Sequence, residues 1–178
     1  MPMSSIHFTS FPRTEPPPPF VAEIVKTFRA HENLIATEKL PSHLKSDEVL
    51  GILRSALVGL GFDVESGKRK ESRIGRPVFF GEDGAPTLRF EVDAYHSEWE
   101  CGLEVEATRA IRGGALYRDL VQALVMVKVN HLCIAVPNFI RWGNNNKSHP
   151  YAESCRTADA LYGHSRITFP YGLTLIGY

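Results

Sequence analysis

The chain has 178 residues, 43% of them hydrophobic, with 20 basic and 20 acidic side chains and no net charge. That length suffices for one domain with its own core, and the charge balance counts mildly against a chain that holds nucleic acid by bulk electrostatics. Cys101, Cys133 and Cys155 lack zinc spacing and indicate a reducing compartment, and without a spanning apolar run or a leader pattern the expectation is a cytoplasmic protein with no membrane partner.

Residues 1–19 contain Pro16, Pro17, Pro18 and Pro19, which favour an extended polyproline arm packing on the domain or on a partner. The remainder, 20–178, reads as a single domain whose functional core lies near 45–140. Val21, Ile24, Val25 and Phe28 recur at helical spacing and predict a helix over 20–34. A second helix begins after Ser46 as N-cap, with Asp47 and Glu48 in its first turn and Val49, Leu53, Ala56, Leu57 and Leu60 on its buried stripe. Gly59 and Gly61 end it. Strands are predicted over 62–65 and 77–80. Between them lies a basic run of Lys68, Arg69, Lys70, Arg73 and Arg76, which suits either a phosphate-holding segment or a solvated loop.

The strongest pattern follows. Residues 88–95 and 101–108 each alternate apolar and polar side chains with period two, so each reads as a strand. Phe90 and Val92 share one face and Glu91 and Asp93 the other; Leu103 and Val105 lie opposite Glu104 and Glu106. If Glu98 and Trp99 form the turn of a hairpin, Asp93 sits across from Glu104 and Glu91 across from Glu106. Like charges directly opposed destabilise a sheet, and four converging carboxylates require raised pKa values or a cation. An all-oxygen set suits Mg²⁺ or Mn²⁺, or Ca²⁺. A solvent-facing acidic sheet face is the alternative. His96, on the apolar face, reads as a packed or capping side chain.

Past Arg109 and Arg112, the Gly113-Gly114 pair turns into a helix over 117–127, with Leu116, Leu120, Ala123, Leu124 and Val127 at helical spacing. Arg118 and Gln122 share one face of it. Residues 131–136 form an apolar, buried strand ended by Pro137. A polar loop over 142–150, a helix over 152–161 and a last strand over 173–176 close the fold. Cys101 and Cys133 fall on apolar strand faces as inert core residues.

The order of an acid-bearing strand, a Glu-x-Glu strand, an amphipathic helix and a buried strand resembles the PD-(D/E)xK nuclease superfamily over residues 45–140. Glu104-Val105-Glu106 stands where Glu-x-Lys is usual, a departure similar to that of BamHI-like and BglII-like type II restriction endonucleases. Val92 precedes Asp93, so the Pro-Asp pair is absent. The resemblance implies an α/β restriction-endonuclease-like fold, a mixed central sheet flanked by helices. It implies Asp93, Glu104 and Glu106 as catalytic residues. Asp93 and Glu104, with the Val105 carbonyl, would be ligands of Mg²⁺ or Mn²⁺, and Glu106 would orient or deprotonate the attacking water. Glu91 is a further ligand or, preferably, a surface acid. Glu48 is a candidate accessory acid, although cap and dipole chemistry accounts for it as well. DNA is the expected partner, contacted by Arg109, Arg112, Arg118, Gln122, Lys68, Arg69 and Lys70, with a homodimer able to address two strands. Arg118 pairs equally well with a nearby acid. Two other functions fit the same residues. One is a non-catalytic nuclease fold that binds nucleic acid or protein; the other is a metal-dependent hydrolase or sensor of a small phosphorylated ligand.

Overall fold

Along the computed structural model run β1 (His7–Phe11), α1 (Phe20–Ala30), α2 (Glu32–Ile35), α3 (Ser46–Leu60), β2 (Asp63–Val64), β3 (Ile74–Phe80), β4 (Pro86–Val92), β5 (Ala94–His96), β6 (Cys101–Val105), α4 (Ala115–Ala123), β7 (His131–Val136), β8 (Ile140–Trp142), β9 (Asn146–Ser148), α5 (Pro150–Gly163) and β10 (Gly172–Gly177). The structure describes residues 4–67, 70–110, 113–142 and 146–178, with the Lys70 side chain excepted. Six strands join in the order β1-β10-β7-β6-β5-β2. The β6–β7 and β7–β10 pairs are parallel and the other three antiparallel, so the sheet is mixed. Parallel neighbours need crossovers, and α4 and α5 supply them.

The two sheet faces carry separate cores. On one, Val21, Ile24, Val25 and Phe28 of α1 and Val49, Leu53 and Leu57 of α3 meet Cys101, Leu103, Val105, Cys133 and Ala135. On the other, Leu116, Leu120 and Ala123 of α4 and Ala158 of α5 meet Leu132, Ile134, Val136, Leu173 and Leu175. β7 contributes to both, because successive strand residues point to opposite faces, which is why its sequence is apolar throughout. This is the mixed central sheet flanked by helices that the sequence predicts. Among the described residues, no helix is long and apolar enough to cross a membrane.

Several boundaries differ from expectation for identifiable reasons. The helix predicted over 20–34 breaks at His31, whose Nδ1 engages the Thr27 carbonyl at 2.9 Å while its N–H caps Phe28 O at 3.1 Å. Ser46 is the first helical residue of α3, not its cap; the Lys45 N–H donates instead to Glu48 Oε2 at 2.7 Å. Gly61 ends α3 at φ 104, a left-handed conformation that glycine adopts without a Cβ penalty. A Cβ there would also stand 2.8 Å from His96 Nε2. His96 is buried and its Nε2 donates to Leu60 O at 3.0 Å, the packed role expected. Within the Pro-rich N-terminal stretch, His7–Phe11 forms an edge strand on β10. The polar segment expected as a loop over 142–150 contains β9, which pairs with β8. α4 stops at Ala123, leaving Leu124 and Val125 exposed.

Candidate active site

β5 and β6 pair as Ala94↔Leu103, Tyr95↔Gly102 and His96↔Cys101, the register predicted for a turn on Glu98 and Trp99. Continued by one step, it sets Asp93 against Glu104. The chain bends at Asp93, however, and a side-chain bond replaces the ladder: Asp93 Oδ2 accepts the Val105 N–H at 2.7 Å. Beyond the bend β4 leaves the sheet and pairs with β3 in a separate ribbon, where Glu91 faces Gly75. The expected opposition of Glu91 and Glu106 is therefore absent, and Glu91 forms an ion pair with Arg73. Four opposed carboxylates are avoided by turning one strand out of the sheet.

Period two turns Gly102 and Glu104 of β6 toward the α4 side, where Gly102 meets Leu132 and Val129. Glu104 is 6% exposed. Burial pushes its carboxyl well above the usual range, and Asp93, Asp119 and Glu106 push it further, against Arg118. Asp93 rises to about 7, chiefly by burial, against the stabilising Val105 N–H; Glu65, Glu106 and Asp47 add to the rise. Glu106 follows β6. Its N–H donates to Ala135 O at 2.8 Å, its carbonyl accepts the buried Tyr178 hydroxyl at 2.6 Å, and its Oε1 meets Arg118 Nη2 at 3.0 Å.

Asp119 belongs to this group and is not among the residues singled out from the sequence. It stands on the apolar stripe of α4 between Leu116 and Leu120, and only 2% of it is exposed. An acid at a stripe position of an amphipathic helix is the signal that reveals it. Burial and Glu106 raise its carboxyl to about 7 against the pull of Arg118. Its Oδ2 is buried with no hydrogen-bond partner among the described residues.

These acids line a cleft of 540 Å³, whose wall also includes Asp47, Arg73, Arg89, Glu91, Val105, Arg109, Arg118 and Gln122. Glu48 does not line it; its carboxylate is engaged with the start of α3, and the preceding Asp47 faces the cleft instead. Arg118 is paired with acids, Glu106 and Asp119, as one of its two expected roles required. Arg89, on β4, joins the basic rim without a sequence signal of its own. Lys68, Arg69 and Arg112 lie outside the described residues, as does the Lys70 side chain.

Among the described residues no three His, Cys, Asp or Glu side chains stand close enough to form a ready metal cage. The donor chemistry nevertheless fits a hard cation: Asp93, Glu104, Glu106 and Asp119 offer only oxygen, and the orphaned Asp119 Oδ2 is a buried acceptor without a donor.

No protein-family model matches the sequence, and no curated protein matches it. Among solved structures, the restriction endonuclease BglII complexed with a DNA 16-mer is similar to this chain, with a TM-score of 0.48 and 13% identity over 97% of this chain and 75% of that one.

Proposed function

We propose that the cleft hydrolyses phosphodiester bonds in DNA with the help of Mg²⁺ or Mn²⁺. The observation that carries this reading is that Asp93, Glu104 and Glu106 line one cleft together with Arg73, Arg89, Arg109 and Arg118. Anionic oxygens beside fixed cations suit a substrate that brings a phosphate and needs a metal.

Asp93, Glu104 and the Val105 carbonyl would hold the cation, with Glu106 adjacent. When bound, the metal supplies Lewis acidity and a water of lowered pKa. Glu106 takes the proton of the attacking water. Its backbone is held at two points, by Ala135 O of β7 and by the Tyr178 hydroxyl, and in the metal-free cleft its carboxylate is paired with Arg118. Arg109, Arg89 and Arg73 face the cleft where a phosphate would lie, and a guanidinium fork matches phosphate oxygens. Gln122, one turn beyond Arg118, is the neutral hydrogen-bonding group of the same wall. Glu91, tied to Arg73, acts through that arginine and not as a ligand. A homodimer would bring two such clefts to the two strands of a duplex.

The test is incubation of plasmid, linear duplex and single-stranded DNA with Mg²⁺ or Mn²⁺, beside EDTA and beside Asp93→Ala and Glu104→Ala. Metal-dependent cleavage lost in both variants supports the reading. Full activity in either variant removes that residue from the site. Metal binding without cleavage of any DNA points to a small phosphorylated ligand, and neither cleavage nor metal binding to a non-catalytic binding module.

A further inference from the structure

Arg118 bridges two acids of the cleft. Its Nη2 lies 3.0 Å from Glu106 Oε1 and 2.8 Å from Asp119 Oδ1, and its Nε donates to the same Asp119 oxygen at 2.9 Å. Both contacts fall on Oδ1, which leaves Oδ2 buried and without a partner among the described residues. The Asp119 side chain is 1% exposed, whereas that of Arg118 is 56% exposed. One end of the pair is therefore rooted in the fold and the other stands at the cleft mouth. Glu104 and Asp93 line the same cleft.

We propose that Arg118 is an internal counter-ion latch. It bridges Glu106 and Asp119 while the cleft holds no divalent cation, and it swings to the mouth, free to take a phosphate, once one is bound. Asp119 is the positioning residue that anchors the closed latch. The proposal rests on the metal site of the nuclease reading.

The physical reason is competition for charge in one cleft: a cation held by Asp93 and Glu104 stands beside Glu106, the acid that Arg118 bridges to Asp119. Carboxylates crowded in a partly dry cleft require positive charge, and a single guanidinium supplies one unit. A divalent cation supplies two at shorter range, so the attraction of Glu106 and Asp119 for Arg118 falls. Because the guanidinium is half solvated, its departure costs little at its own end; at the other end the buried Asp119 carboxylate is left to the field of the cation. The arginine that lowers repulsion in the empty cleft then becomes available to the substrate, which couples DNA affinity to metal loading.

Mg²⁺ is titrated at pH 8, without DNA, into wild type, Arg118→Ala, Arg118→Lys, Asp119→Asn and Glu104→Ala, with binding read by calorimetry. In parallel the arginine Nε–H resonances of ¹⁵N-labelled protein are followed, that of Arg118 being identified by its loss in Arg118→Ala, or in Arg118→Lys if the alanine variant does not fold. The expected result is movement of the Arg118 resonance over the concentration range of the calorimetric isotherm. Arg118→Ala should bind Mg²⁺ about tenfold more tightly, the scale of one displaced ion pair. In Asp119→Asn the resonance should already sit near its Mg²⁺-bound position. A resonance that stays in place at saturating Mg²⁺ overturns the latch, whatever the affinities. If wild type binds no Mg²⁺, the metal site fails and the latch with it. Binding lost in Glu104→Ala together with an unmoved Arg118 in wild type overturns the latch alone.

Discussion

The Val105 N–H donates to Asp93 Oδ2 at 2.7 Å, so the backbone of the strand that carries Glu104 holds the carboxylate of Asp93. The two acids are positioned by one piece of β6. A side chain that satisfies a backbone donor inside a sheet is fixed as firmly as the ladder bond it replaces.

Asp93→Asn keeps an oxygen acceptor for that N–H and removes the charge. Asp93 titrates near 7 in the folded protein against a reference of 3.8. Between those values the native state binds a proton that the unfolded chain has released, so this group's contribution to stability falls as pH rises through that window. The loss is on the order of 4 kcal/mol across the window. Urea unfolding from pH 4.5 to 8.5 without metal should show that decline in wild type and a flatter profile in Asp93→Asn. Parallel profiles in the two proteins would remove the buried-charge account.

Mg²⁺ should oppose the same decline. At pH 8, above the value near 7 to which Asp93 is raised, the melting temperature should rise with Mg²⁺ concentration as mass action requires; at pH 5, with Asp93 protonated and burial favouring the neutral form of Glu104, the rise should vanish. Glu104→Gln should show no rise at either pH. A Mg²⁺-induced shift of equal size at both pH values would mean that the cation binds elsewhere.

Tyr178→Phe removes the hydroxyl that meets the Glu106 carbonyl at 2.6 Å and leaves the ring in place. Tyr178 is 1% exposed, so the orphaned carbonyl should cost about 1–2 kcal/mol by denaturant melt. Because Glu106 loses one of its fixed points, kcat for cleavage should fall more than KM rises. A change confined to stability would show that the other two contacts suffice to place Glu106.

The acids at the start of α3 divide by role. Glu48→Ala should lower stability by about 1 kcal/mol, through loss of its bond to the Lys45 N–H, and leave cleavage unchanged. Asp47→Asn should do the reverse, since Asp47 lines the cleft. Steady-state rates and thermal melts on the two variants decide it; reduced cleavage by well-folded Glu48→Ala would return that residue to the site.

Much of this architecture is legible from periodicity. The α1 stripe, the β7 run and the β5–β6 register all follow from spacings of two or of three and four, because burial imposes those spacings on a strand or a helix. The path of β4 was not legible. Its alternation fits pairing with β6 as well as pairing with β3, and the choice is made by Asp93 binding a backbone N–H, which no local pattern announces. Asp119 was hidden for another reason. A search for acids on polar faces passes over one on an apolar stripe, although that misplacement is itself the sign that the residue has a use in the interior. Asp47 and Glu48 are not told apart by the sequence, because two adjacent acids in a first turn share composition and differ only in direction, which a single rotation of about 100° along the helix sets.

The bend at Asp93 has a consequence for how this chain can change. Upstream of it the β3–β4 ribbon pairs with itself, ending in a tip with Phe79 and Phe80 exposed; downstream the β5–β6 pair is locked in the sheet. Residues added or removed in matched pairs near the ribbon tip alter its reach and leave Asp93 where it is, whereas a single residue inserted between Val92 and Ala94 breaks the Asp93–Val105 bond. The molecule thus separates a part whose length is free to drift from a part whose length is not, with one carboxylate as the boundary.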